Sequence, residues 1–369
     1  MSIYPYLFVL FSSFLLSLIL VPVVKKISLA FGILDHPGER KVHSTPKPLM
    51  GGLAIYLALM VVIWGNIGAL WLLKDHALVL KTFPSMVEQI PKLAEVLPNL
   101  GVVLAAGTLI MLMGMIDDIR GVDFSFKLKF MGQILASLIL VWGGISIEFM
   151  SNPYLNIPLT ILWVVGITNS FNLLDNMDGL SSGVAIIASI IFFIVAVSQG
   201  QFFTALILLA LAGSILGFLW YNFPPSSIFM GDTGSLFIGF MLGSLTVTSS
   251  YVVSESTSLL PVIMPVIILS VPIFDTLSVI YIRWRVGKPI YRGDKNHFSH
   301  RLVDLGMTKK QAVLFIYLVT FCVGLAAILL PSLDRIESLI VFVQAVIIFI
   351  LIVILMIVGK KDAARWGHD

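Results

Sequence analysis

The stretch ILWVVGITNSFNLLDNMDGLSSGVAIIASIIFFIVAV, residues 161–197, sets two apolar runs on either side of NSFNLLDNMDGL (169–180). The flanking runs extend far enough on both sides to cross a bilayer, whose core takes about 20 apolar residues per helix. Three asparagines and two aspartates crowd the junction, although two spans need no such cluster in order to turn around. The junction must therefore be located, and the polar groups able to meet it identified.

Composition extends the membrane reading to the whole chain. Of 369 residues 58% are hydrophobic and 12% charged, and the mean hydropathy is +1.02. Soluble domains run at about 45–50% apolar and about 25% charged, so most of this surface must face lipid. A formal net charge of +3 gives no support to nucleic-acid binding. Cys322 is the single cysteine, set in an apolar run, which excludes an internal disulfide and suggests no thiolate metal site.

Eleven spans are expected, near 3–24, 49–73, 99–116, 127–146, 157–174, 180–199, 202–220, 230–250, 261–282, 311–331 and 338–359. The first, IYPYLFVLFSSFLLSLILVPVV, has no Lys or Arg before it and Lys25 and Lys26 after it, the pattern of an uncleaved first helix with its amino end outward. In that orientation all but four of the 23 Lys and Arg residues are internal, the exceptions being Lys74, Lys81, Lys92 and Arg335. Positive residues mark the cytoplasmic side, so the amino terminus is expected outside and the carboxyl terminus inside. The segment 74–98 reads as a short helix along the outer interface. The expectation is an all-α integral membrane protein of about 11 transmembrane helices. It forms a single polytopic domain over 1–369, whose site lies in the cytoplasmic loops 25–48, 117–127, 172–182, 221–232 and 283–310.

The polar residues gather on that inner side. GMIDDIRG (114–121) ends the third span, the opening junction ends the fifth, FMGDTGS (229–235) begins the eighth and PIFDTLSV (272–279) lies late in the ninth. DHPGERKVHSTPKPLMGG (35–52) and YRGDKNHFSHRL (291–302) belong to inner loops. Asp232 and Asp178 stand where helices start, so capping alone could explain them. Asp117 and Asp118 do not fit that account. They end a helix, where the macrodipole disfavours negative charge by about 0.3–1 kcal/mol each, and Asp175 shares that position. Asp275 lies at membrane depth, where an acid either marks function or makes a structural ion pair, here with Arg283 or Arg285. His297, His300 and Arg301, clustered beside Asn296, suit a phosphate or diphosphate.

Carboxylates without a Cys–His set point to Mg²⁺ or Mn²⁺, held by few protein ligands and completed by phosphate oxygens. Such a site favours phosphoryl transfer by positioning and electrostatics. No G-x-x-x-x-G-K-[ST] loop occurs, so ATP hydrolysis gains no support, whereas exchange of one phosphoanhydride for another needs none. A transporter would instead place polar groups near the midplane on broken or repeated helices. A purely structural scaffold would not need the acid–His–Asn inventory.

The inner-loop motifs DHPGERKVH…PLMGG, GMIDDIRG, NSFNLLDNMDGL, FMGDTGSLFIGF, PIFDTLSVIYIRWRVGKPIYRGDKNHFSHRL and LGMTKKQAV together resemble those of the polyprenyl-phosphate N-acetylhexosamine-1-phosphate transferases, over roughly residues 5–330. The resemblance implies transfer of a sugar 1-phosphate, most simply GlcNAc 1-phosphate, from a UDP-sugar to undecaprenyl phosphate with release of UMP and use of Mg²⁺. It also implies a bacterial inner membrane, a cytoplasm-facing site, and a place early in O-antigen, teichoic-acid or similar envelope glycan synthesis. A homodimer is left open. The alternative branch, the phospho-MurNAc-pentapeptide transferases, has a run of consecutive histidines, and DKNHFSH with Asp275 resembles it less.

By motif position, the resemblance makes Asp232 a metal ligand, with Asp118 beside it. Asp117, Asp118, Asp175 and Asp178 become catalytic, and Asn169, Asn172, Lys47, Arg40, His43, His297, His300 and Arg301 substrate-binding. Asn169, Asn172, Asp175 and Asp178, spaced by three, are expected to approximate one face. Two residues depart from the pattern: Ser299 stands where the GlcNAc branch has histidine, and Asn176 replaces a glycine. Asparagine visits the left-handed backbone readily, so the turn is expected to survive, and Ser299→His is expected to be tolerated.

Overall fold

The computed structural model describes residues 3–36, 45–82, 84–121, 124–148, 152–248, 260–287, 289 and 296–366. Arg40 and His43 fall outside these. Among the described residues, eight helices are long and apolar enough to cross a membrane. They are α1 (Tyr4–Ala30), α2 (Gly51–Leu73), α5 (Ile90–Arg120), α7 (Pro153–Leu174), α8 (Leu180–Ser198), α9 (Phe202–Asn222), α14 (Lys309–Leu329) and α15 (Arg335–Trp366). The remaining three expected spans are helical but differ in kind. The helix α6 (Phe126–Trp142) has only 17 residues, and α10 (Gly231–Thr248) opens on the polar sequence Gly-Asp-Thr-Gly-Ser. The ninth is split into α11 (Leu260–Ile268) and α12 (Ser270–Arg285). Pro272 causes the split, because it lacks the amide that would bond to the carbonyl of Ile268. Where one interfacial helix was expected, the structure has α3 (Ala77–Thr82) and α4 (Pro84–Val87), and α5 begins well before residue 99.

The helix α10 is the centre of the bundle, buried at every position from Thr233 to Thr246 and packed among α2, α5 and α7. In lipid the apolar surface gains little from leaving one hydrocarbon for another, so close backbone approach has to supply the packing. Gly52 and Gly234 provide it between α2 and α10: a Cβ on Gly52 would overlap the Gly234 backbone. The outer helices carry large apolar side chains into the lipid, among them Phe11, Leu138, Leu318 and Leu351.

One end of the bundle is closed by backbone pairing. A two-residue antiparallel ladder joins β1 (Leu34–Asp35) to β2 (Lys47–Pro48). Phe229 N–H then donates to Pro48 O at 2.8 Å, and the first amides of α2, Gly51 and Gly52, donate to Phe229 O and Met230 O at 2.9 Å. The amino end of α2 is thus satisfied by the strand-like approach to α10, which fixes the starts of both helices beside the carboxyl end of α5.

Candidate active site

Asp118 resolves its own misplacement. Its carboxylate leaves the unfavourable end of α5 and meets the amino end of α10. Oδ1 accepts from Asp232 N at 2.8 Å, and Oδ2 accepts from Thr233 N at 3.0 Å and Thr233 Oγ1 at 2.6 Å. A negative group there satisfies orphan amides and the positive pole of the helix. Gly231 is required beside it: φ is +71°, and a Cβ would overlap the Asp118 carboxylate. Asp118, expected as a catalytic acid and metal ligand, also positions Asp232 through both of its oxygens.

Asp232 is the hub of the cluster. Its Oδ1 accepts from Asn172 Nδ2 at 2.8 Å, and that amide also donates to Ser235 Oγ at 2.9 Å. Its Oδ2 accepts from Lys129 Nζ, and the same ammonium contacts Asp117 Oδ2. Lys129 thus lies between two acids from different helices. The sequence reading did not single it out, counting it only among the inward charges. A signal was present: Lys129 lies in the first turn of α6, where the dipole disfavours a cation, the same misfit that singled out Asp117.

Asp175 ends α7 and faces the same cluster. Burial, then the charges of Asp232, Asp118 and Asp178, hold its carboxyl well above the ordinary aspartate range. Asp117, Asp118 and Asp232 against the one lysine they gather around leave excess negative charge, and an oxygen-only donor set suits Mg²⁺ or Mn²⁺. Among the described residues no three His, Cys, Asp or Glu side chains are already grouped as ligands. Mg²⁺ takes one or two carboxylates and completes its shell with water and substrate phosphate. Asp232 and Asn172 would hold it, with Asp117 adjacent.

The opening junction does not present a single face. Steps of three residues fall back about 60° each on a helix of 3.6 residues per turn, and α7 ends at Leu174. Asn169 accordingly turns to α6, where it pairs with the buried Gln133 amide. Asn172 turns to α10. Asp178 Oδ2 accepts from Ser226 N at 2.9 Å, while Lys47 Nζ donates to Ser226 O, so both grip one backbone unit in the loop before α10. Asn169 and Lys47, expected to contact substrate, are engaged by the protein itself. The turn is made by Gly179 at φ +75°. Its N–H donates to Asn222 Oδ1 at 3.0 Å, and its carbonyl accepts from Tyr317 OH. Asn176 has no positive φ, so the left-handed role expected of it is absent.

The basic loop is anchored at depth by α13 (Phe298–Asp304). Asp275, fully buried, accepts from Phe298 N at 2.5 Å and lies 2.8 Å from His297 Nδ1. Its acid therefore caps α13 and pairs with histidine. His297, expected as a diphosphate contact, is 4% exposed and forms the joint between α12 and α13 through its Nδ1. His300 and Arg301 are half-buried on α13. Arg301 Nη2 donates to Ser278 Oγ at 2.6 Å, and burial lowers the pKa of its guanidinium against the pull of Asp275.

An all-helical, multi-pass membrane protein with an oxygen-lined acidic site at one end of its bundle is the class that fold and site define. The model described as glycosyl transferase family 4 matches residues 100–250, the segment holding Asp117, Asp118, Lys129, Asn172, Asp175 and Asp232. The chain is 35% identical to a probable undecaprenyl-phosphate N-acetylglucosaminyl 1-phosphate transferase of Bacillus subtilis, over 94% of this chain and 89% of that one. It is 31% identical to a decaprenyl-phosphate N-acetylglucosaminephosphotransferase of Mycolicibacterium smegmatis, over 93% and 86%. Identity to a phospho-N-acetylmuramoyl-pentapeptide-transferase of Bacillus mycoides is 28%, over 78% and 85%. The chain belongs to glycosyl transferase family 4, which transfers sugar phosphates to polyprenyl phosphates.

Proposed function

We infer that this chain transfers N-acetylglucosamine 1-phosphate from UDP-GlcNAc to undecaprenyl phosphate, releasing UMP, at the cytoplasmic face of a bacterial inner membrane. The observation that carries the reading is the convergence of Asp117 and Asp232 on Lys129 beside Asn172. It is an acid-rich site with one flexible cation, suited to diphosphate chemistry. The relatives of higher identity support GlcNAc over MurNAc-pentapeptide. Eleven crossings with the amino terminus outside remain part of the reading, supported by the distribution of Lys and Arg.

In this reading an oxygen of the lipid phosphate attacks the phosphorus bearing the sugar, and the bond to the UMP oxygen breaks. Asp117, next to the cluster but committed to no backbone, keeps the acceptor phosphate deprotonated. Lys129 offsets the charge of the diphosphate as it rearranges, and Arg301 helps to hold the bound nucleotide-sugar diphosphate. Bound Mg²⁺ would supply further charge neutralisation between carboxylates and phosphates.

The test uses purified protein, undecaprenyl phosphate, Mg²⁺ and a panel of UDP-sugars, with UMP and the lipid product followed and EDTA as control. Product from UDP-GlcNAc, abolished by EDTA and in Asp232→Asn, is expected. Turnover undiminished in Asp232→Asn would remove this residue from the reaction centre. Transport of a solute without UMP release would replace the enzymatic reading altogether.

A further inference from the structure

The two departures from the family pattern touch each other. Ser299 Oγ donates to Asn176 Oδ1 at 2.5 Å, and Asn176 Nδ2 donates back to Leu173 O at 2.8 Å, in the last turn of α7. Ser299 is 1% exposed, so its hydroxyl has no water to replace this partner. The bond spans two elements far apart in sequence. One is the turn carrying Asp175 and Asp178. The other is α13, carrying His300 and Arg301, whose amino end is already fixed at depth by Asp275.

We propose that the Asn176–Ser299 hydrogen bond is a positioning latch that sets α13 against the acidic cluster and so governs how tightly the nucleotide-sugar diphosphate is held. The proposal rests on the phosphotransfer reading above. Asp275 at Phe298 and Ser278 at Arg301 both tie α13 to α12, whereas Ser299 ties its first turn across to the α7–α8 junction. Ser299 lies next to the two cationic and hydrogen-bonding residues that would meet the diphosphate, and its bond to Asn176 sets how closely that turn approaches the end of α7. The reacting groups Asp117, Lys129 and Asp232 lie on other helices, so loosening α13 weakens donor binding more than the chemical step. The pair is also matched in size. Asn→Gly removes as many side-chain heavy atoms as Ser→His adds, so the departure at one position makes room for the departure at the other. Ser299→His alone would force a larger ring against Asn176 in a closed space, which reverses the tolerance expected from sequence.

The experiment is a double-mutant cycle on the full protein in lipid nanodiscs, with KM for UDP-GlcNAc, kcat, and hydrogen exchange over 296–304 measured for each variant. Ser299→Ala and Asn176→Gly are expected to raise KM about 3- to 10-fold, leave kcat within about twofold, and speed exchange in α13. Ser299→His is expected to be worse than either, and Asn176→Gly/Ser299→His to return toward wild type. Wild-type KM and exchange in both single removals, or a double variant no better than Ser299→His, would overturn the latch. If the wild-type protein turns over no UDP-sugar, the phosphotransfer reading fails. Exchange then decides the latch separately: unchanged rates in Ser299→Ala refute it, and faster rates confined to α13 uphold it.

Discussion

At the residue scale, the site is a problem in where negative charge is placed and what offsets it. Lys129 holds Asp117 and Asp232 together. Lys129→Gln should therefore lower the thermal stability of the protein in EDTA and enlarge the stabilisation produced by Mg²⁺, since two acids lose their shared cation. Scanning fluorimetry with and without Mg²⁺ reads this, and an Mg²⁺ response equal to wild type would show that the lysine and the ion do not share a place. Asp175 supplies a pH test. Its folded-state pKa is raised, so the stability it contributes is fully present below the ordinary aspartate value and is lost as pH rises through the folded-state value. Asp175→Asn stays neutral and removes that loss. In EDTA its melting temperature should exceed wild type at neutral pH and converge with it in acid; a constant offset across pH would mean the carboxyl does not titrate as its surroundings imply.

At the scale of elements, adjacent acids have separate tasks. Asp118 accepts three hydrogen bonds at the start of α10, whereas Asp117 meets Lys129. Asp118→Asn turns an NH₂ toward donors and should cost about 0.5–2 kcal/mol of stability, the scale of a lost helix cap, along with activity. Asp117→Asn should remove most turnover with little change in melting temperature. Equal stability losses in the two variants would contradict this division. The same scale explains why reading spacing along α7 misled. Asn169, Asn172, Asp175 and Asp178 look equivalent as a three-residue repeat, yet helical phase and the end of α7 send them to α6, α10, the acidic cluster and the Ser226 loop respectively.

For the whole molecule, the polar ends of α2, α5, α7, α10 and α13 meet at one end of the bundle, while the surface around them is apolar. Cys322 is the only cysteine, so a Cys322→Ser background allows topology to be mapped with one thiol at a time. An impermeant maleimide should label Asp75→Cys in intact cells, and Asp304→Cys only after the membrane is opened. The reverse pattern would invert the proposed orientation and move the site to the outer face.

The apolar runs and the gathering of acids at one set of their ends were legible in the sequence, because hydrocarbon excludes polar groups so strongly that length and composition alone locate them. The misfit of Asp117 and Asp118 was legible too, since a helix end has a known polarity. What the acids do with one another was not. Asp118 reaching the amides of α10, Lys129 reaching Asp232, and Asn176 meeting Ser299 all link residues more than a hundred positions apart. Those pairings depend on the rotation and depth at which each helix sits. In lipid these are settled by close packing of small residues such as Gly52 against Gly234 and not by hydrophobic pattern, which is nearly the same on every side of these helices.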